Sequence, residues 1–298
     1  MWVFLGICSA FFLGFHEIFK KVSVNHNAVL PVLFFASLAS AVFFLPFLGI
    51  SLFVSEPAEP VLWYIRQVPL RAHMLFVIKS VIVAFAWLFG YFAVKHLPVT
   101  ILAPINASGP VWIILGAMIL YGEKLNLMQW SGVAISLIFY YSISFGGNIK
   151  ASGKNAHKWT FYALLSILFN SASALLDKYL VAHYDRIAMQ AYFSLYTALI
   201  FGIILFFTMR KDRPLLHTFT WKWAIPLIGL FLVAADYFYF YALSFEGSMV
   251  SILIILRRSS AVIVFTAGIL YFHESNLRRR ALALAGILLG VALVILGS

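Results

Sequence analysis

The stretch Ile252-Leu253-Ile254-Ile255-Leu256-Arg257-Arg258-Ser259-Ser260-Ala261-Val262-Ile263-Val264-Phe265 sets two adjacent arginines in the middle of an apolar run that extends over 248–272. A bilayer core about 30 Å thick is crossed by roughly 20 helical residues, so this run is long enough to span a membrane with both arginines near its centre. An ionisable side chain at that depth costs at least about 2.5–3.5 kcal/mol on insertion scales and asks for a reason.

The same pattern recurs along the chain. Apolar runs between charged or turn-rich breaks fall at 2–23, 28–53, 72–95, 98–121, 127–146, 158–182, 187–209, 221–244, 248–272 and 278–297. They are too long for the strands of a membrane barrel. Hydrophobic residues make up 63% of the 298 and charged residues 10%, against about 45–50% and about 25% in soluble domains. That balance excludes a soluble enzyme, a disordered chain and a nucleic-acid partner despite the formal charge of +11. The expected fold is an all-α polytopic membrane protein of ten transmembrane helices, integral to a membrane and surrounded by its lipids. Met1-Trp2-Val3-Phe4 lacks the basic start of a cleaved signal peptide, and the single Cys8 allows no intrachain disulfide.

Two connections are longer than the rest. Residues 55–70 contain three prolines with Trp63 and Tyr64 and read as an interfacial strap, where aromatic rings prefer to sit. Residues 147–157 read as a flexible linker dividing the chain into a first half, 1–146, and a second half, 158–298. The halves are similar. Trp2-Val3-Phe4 through Lys20-Lys21 and His26 matches Trp159-Thr160-Phe161 through Asp177-Lys178 and His183 at one offset, and Ile119-Leu120-Tyr121 matches Ile269-Leu270-Tyr271 at another. Five crossings per half would insert the second half inverted, a signature of secondary transporters with a site between the repeats near the midplane.

These features resemble the drug/metabolite transporter superfamily in its EamA-like branch. The resemblance rests on Tyr91-Phe92-Ala93-Val94 and Tyr241-Ala242-Leu243-Ser244 closing the third span of each half. It rests also on Tyr121-Gly122-Glu123 and Phe272-His273-Glu274 after the fourth. It implies two inverted five-helix repeats, a central cavity lined by spans 1–4 and 6–9, and alternating access, in keeping with a bacterial inner membrane. The resemblance would put both termini in the cytoplasm; the excess of Lys and Arg in the opposite connections would put them outside. The plastid phosphate translocators of the same superfamily place a basic pair in the ninth span, which Arg257-Arg258 resembles. The departures are the extra residue before Glu274 and the absence of an arginine pair at the matching Ala107-Ser108.

Buried charge selects the candidate site. Projected on a continuous helix at about 100° per residue, Arg258 shares a stripe with Ser248, Ser251, Ser259 and Thr266. Arg258 is therefore the expected anion contact, and Arg257 is expected to pair with Asp236 in the eighth span. Lys79 lies two turns inside the third span, where Trp87 and Tyr91, with Ser80 and Ala84, form an aromatic wall opposite it. Asn170, Ser173 and Asp177 recur on one face of the sixth span, although Asp177 and Lys178 stand near its end, where snorkelling is an equal reading. Asn106 lies between Pro104 and Pro110 in a span expected to kink and free carbonyls. Glu17, Asp177 and Asp236 are candidates for coupling transport to protons, Glu17 having the local alternative of Lys20 and Lys21. The expected cargo is a small anionic or zwitterionic metabolite, carried by gradient or exchange without a cofactor or a metal. An intramembrane enzyme and a lipid-linked head-group flippase are the alternatives; His16-Glu17 and His273-Glu274 lack the second histidine of a zinc protease. Gly286 and Gly290 form a small-residue face that allows close helix approach, more often an internal contact in a multispan protein, and that could also join two copies.

Overall fold

The computed structural model describes residues 1–54, 64–97, 105–106, 108–144, 156–211, 219–270 and 277–298. Its regular elements are α1 (Trp2–Val24), α2 (Val29–Phe53), α3 (Leu70–His96), α4 (Gly109–Tyr121), α5 (Leu127–Ser144), α6 (Ala156–His183), α7 (Arg186–Lys211), α8 (Ala224–Leu243), α9 (Val250–Arg257), α10 (Ser260–Leu270) and α11 (Leu277–Leu296). Six of them, α1, α2, α3, α6, α7 and α8, are by themselves long and apolar enough to cross a membrane. The all-helical form follows from the solvent, because a bilayer offers the backbone no hydrogen-bond partners and a helix supplies its own.

The helices interleave the two halves of the chain: α1 packs on α8, α3 on α6, and α2 on α7 and α8. Short side chains and their hydroxyls bring backbones together across these seams. Ser9 Oγ donates to Ala235 O at 2.8 Å and Ser40 Oγ to Gly229 O at 3.0 Å, while between α7 and α8 the Gln190 amide donates from Nε2 to Val233 O at 2.7 Å. Helices α5 and α11 pack mainly on one another at the edge. The glycine face of α11 is consumed there: a Cβ on Gly286 would collide with Phe139, and one on Gly290 with Ser136 and the backbone of Gly132. Of the two readings of the Gly286 and Gly290 face, the internal contact is the one the helices make.

The ninth run, read as one continuous helix, is broken, and the fourth, expected to kink, turns at Ser108. The ninth divides into α9 and α10, with Arg258 N bonded to Ile255 O and Ala261 N to Arg258 O, each at 3.0 Å. In the fourth, whose residues 98–104 lie outside the described residues, Ser108 N bonds Ile105 O and Val111 N bonds Ser108 O, again at 3.0 Å. The two i,i+3 turns occupy matching positions in the two halves. Of the interfacial strap, Trp63 lies outside the described residues and Tyr64 is buried, while Ile65 N donates to Ser51 Oγ at 2.8 Å, so its described end is packed into the protein. Of the linker 147–157, residues 147–155 are outside the described residues, and α6 begins at Ala156.

The turn Tyr121-Gly122-Glu123 closes one end of the structure. Gly122 adopts φ 62°, the left-handed conformation that ends a helix at little cost only in glycine. Glu123, buried, then accepts hydrogen bonds from Val250 N at 2.8 Å and Ser251 N at 3.1 Å, neutralising orphan donors at the positive end of α9. Lys178 Nζ contacts Glu123 Oε1 at 2.6 Å and Ser248 O at 2.9 Å. Lys178 is thus an internal partner rather than a snorkelling side chain. Glu123→Ala is expected to destabilise the purified protein by about 3–5 kcal/mol, because it strands a buried cation and two helix N–H groups, and Glu17→Ala to cost far less. Thermal unfolding in detergent checks both.

Candidate functional site

A cavity of about 1310 Å³ lies between the two halves. Its rim carries Lys21, His26 and Asn106, all exposed, at the end of the molecule reached by the C-terminus of α1. Its walls include Trp87 of α3, Asn170 of α6 and Thr197 of α7. Its floor lies toward the end closed by Glu123 and is made by Lys79, Asp177, Asp236, Tyr239, Phe240 and Arg257.

Two ion pairs define that floor. Lys79 of α3 is buried, pairs with Asp177 of α6, and reaches Ser173 Oγ at 3.4 Å. Its ammonium also lies 4.5 Å from the Phe193 ring centroid and 5.5 Å from that of Phe240, near enough for cation–π attraction. Arg257 Nη2 donates to Asp236 Oδ1 at 3.2 Å, and its guanidinium covers the Tyr239 ring at 4.4 Å. Both pairs are largely withdrawn from solvent, where removal of one partner leaves an uncompensated charge.

Several faces differ from the helical projection. Because the backbone turns at Arg258-Ser259, one angular register does not run through α9 and α10. Arg257 and Arg258 both line the cavity, together with Ile254, Ala261 and Val264. The hydroxyl stripe assigned to Arg258 faces elsewhere: Ser251 is buried outside the cavity, Ser259 Oγ donates to Leu256 O, and Thr266 Oγ1 donates to Val262 O. Arg258 points toward α4, its Nη2 3.5 Å from where a Cβ on Gly109 would stand. Asp177 is paired inside the protein instead of snorkelling. Lys79 and Trp87 line the same cavity rather than opposing walls, while Ser80 is turned to α7, where its Oγ approaches Phe193 O at 3.4 Å. The side chain of Tyr91 lies outside the described residues.

The remaining candidates spread from floor to rim. Asn170 Nδ2 donates to Ser166 O at 2.9 Å on the wall, and Glu17 near the rim accepts from Lys20 Nζ at 2.9 and 3.0 Å. Sequence reasoning did not single out Thr197 or Tyr239. Tyr239 stands three residues after Asp236 on the same helical face, a usable signal; Thr197 offers none beyond a hydroxyl in an apolar run.

An all-helical, lipid-facing body around a solute-sized cavity with charged groups at its floor defines a membrane transporter. The chain belongs to the EamA-like transporter family, whose model matches residues 1–145 and 157–296. A relative from Archaeoglobus fulgidus, described as an uncharacterized transporter, is 24% identical over 297 residues, covering 99% of this chain and 98% of its own. A solved crystal structure shares the fold at a TM-score of 0.72 and 16% identity, over 99% of this chain and 96% of the other.

The pairing yields a stability test. Arg257→Ala is expected to lower stability by about 3–5 kcal/mol, and adding Asp236→Asn to that variant to restore part of it. Asp177→Asn and Lys79→Met should compensate one another in the same way. Melting curves of the single and double variants in one detergent give the comparison.

Proposed function

We propose that the protein is a secondary active transporter moving a small anionic or zwitterionic metabolite by alternating access, with ten crossings arranged as two inverted five-helix repeats, 1–146 and 158–298. The observation that carries this reading is the cavity itself, built from both halves, with two ion pairs at its floor and the Glu123 junction beyond them. The matching backbone turns at Ser108 and Arg258 and the two separate family matches support the repeat. Broken spans that face a central site are how transporters aim helix termini at a solute.

The charge pattern favours a solute carrying a carboxylate or phosphate. Basic lining residues outnumber acidic ones, yet the floor is balanced by its two pairs. A zwitterion can exchange partners with such pairs without leaving a buried charge exposed. Arg258 and Arg257, with Lys79, are the anion contacts; Asp236 and Asp177 face any cationic group; Asn106, Asn170, Ser173, Trp87 and Tyr91 complete the proposed binding set. Glu17, Asp177 and Asp236 are the groups able to carry a proton when transport is coupled to one, and exchange requires none.

In liposomes, uptake is expected to saturate and to be accelerated by solute preloaded inside, which a permanently open channel would not show. Arg258→Lys should lower uptake about tenfold or more while leaving a folded protein, because an ammonium cannot reproduce the two parallel bonds of a guanidinium. Metabolite profiling of cells with and without the protein selects the solutes to assay. Full uptake by Arg258→Ala would overturn the assignment.

A further inference from the structure

Two residues that line the cavity carry buried hydroxyls. Tyr239 is 2% exposed and Thr197 is 3% exposed. Both line the cavity, and neither Tyr239 Oη nor Thr197 Oγ1 has a hydrogen-bond partner among the described residues. Thr197 contrasts with its neighbours on α7, where Ser194 Oγ donates to Gln190 O at 2.9 Å and Thr208 Oγ1 to Ile204 O at 2.7 Å. A buried hydroxyl left without a partner is unfavourable, and a helical threonine has an easy one in the preceding turn. Thr197 does not take it. Tyr239 is also held in place: its ring is covered by the Arg257 guanidinium at 4.4 Å and lies against the Phe240 ring at 5.4 Å. It stands in the floor that the two ion pairs share.

We propose that the Tyr239 and Thr197 hydroxyls are specificity-determining contacts that hydrogen-bond the transported solute, Tyr239 at the cavity floor and Thr197 on its wall. This rests on the transporter reading above and deepens it. The ion pairs and Arg258 recognise charge, whereas these two groups read hydroxyl, carbonyl or amine functions on the solute body. A site that presents a buried hydroxyl discriminates strongly against an analogue lacking the complementary group, because binding that analogue leaves the hydroxyl unpaired. The cargo is therefore a polyfunctional metabolite, with hydrogen-bonding groups away from its charged end, rather than a simple aliphatic acid.

The test joins a measurement on the solute-free protein to one on transport. Tyr239→Phe and Thr197→Val remove the hydroxyl and keep the shape. In detergent without added solute each variant is expected to melt higher than the parent, by about 2–4 °C, since each removes an unfavourable buried group. Hydroxyls that serve the fold, through an ordered water for example, would give lower melting temperatures and overturn the proposal. Proteoliposomes are then incubated with the water-soluble extract of the expressing cells, and trapped solutes are read by mass spectrometry. The parent is expected to enrich solutes that Tyr239→Phe enriches at least about tenfold less. Equal enrichment by parent and variant would overturn the specificity role while leaving the transporter reading intact. Absence of enrichment by the parent would instead count against the transporter reading, and the melting temperatures would still decide whether the hydroxyls serve the fold.

Discussion

A charge inside a membrane-spanning protein must find its counter-charge within the protein, and most of this site follows from that requirement. Lys79 and Asp177 join α3 to α6, and Arg257 and Asp236 join the end of α9 to α8. Both pairs are largely withdrawn from solvent, so each helix is held at the distance and rotation that lets its charge be met. The pairs thereby fix the floor of the cavity, and the aromatic rings of Phe193, Phe240 and Tyr239 pack around the cations they expose.

The same accounting applies to the backbone. A helix end within the membrane region presents N–H and C=O groups that need partners. At the closed end Glu123 serves the start of α9, and Lys178 neutralises Glu123, so three helices from both halves meet on one carboxylate. At the cavity the breaks at Ser108 and Arg258 are satisfied locally by i,i+3 bonds. Those turns place the Arg258 guanidinium beside Gly109 of α4. The cap at Glu123 is fully partnered, and beyond it the two ion pairs form the floor of the cavity.

Much of this was legible in the chain. The positions of the helices followed from apolar runs that no soluble domain would carry, and the expensive charges within them marked the residues that reach the cavity. Orientation was less legible. Asp177 read equally well as a snorkelling end residue, because sequence alone does not show how far a span continues past its last apolar residue. Arg257 and Arg258 were assigned to different faces by a projection that assumes one unbroken helix, and two residues of 3₁₀-type turn remove that assumption.

The amino-acid sequence by itself determined an all-helical membrane body and the charges that must be neutralised inside it, because these depend on hydrophobic length and on local composition. Only the tertiary structure decided which cation meets which anion, that Glu123 caps a helix more than a hundred residues away, that Gly286 and Gly290 face α5, and that Tyr239 and Thr197 line the cavity with no hydroxyl partner among the described residues. Those outcomes depend on the relative rotation and spacing of helices distant in sequence, which packing sets and no run of neighbouring residues encodes.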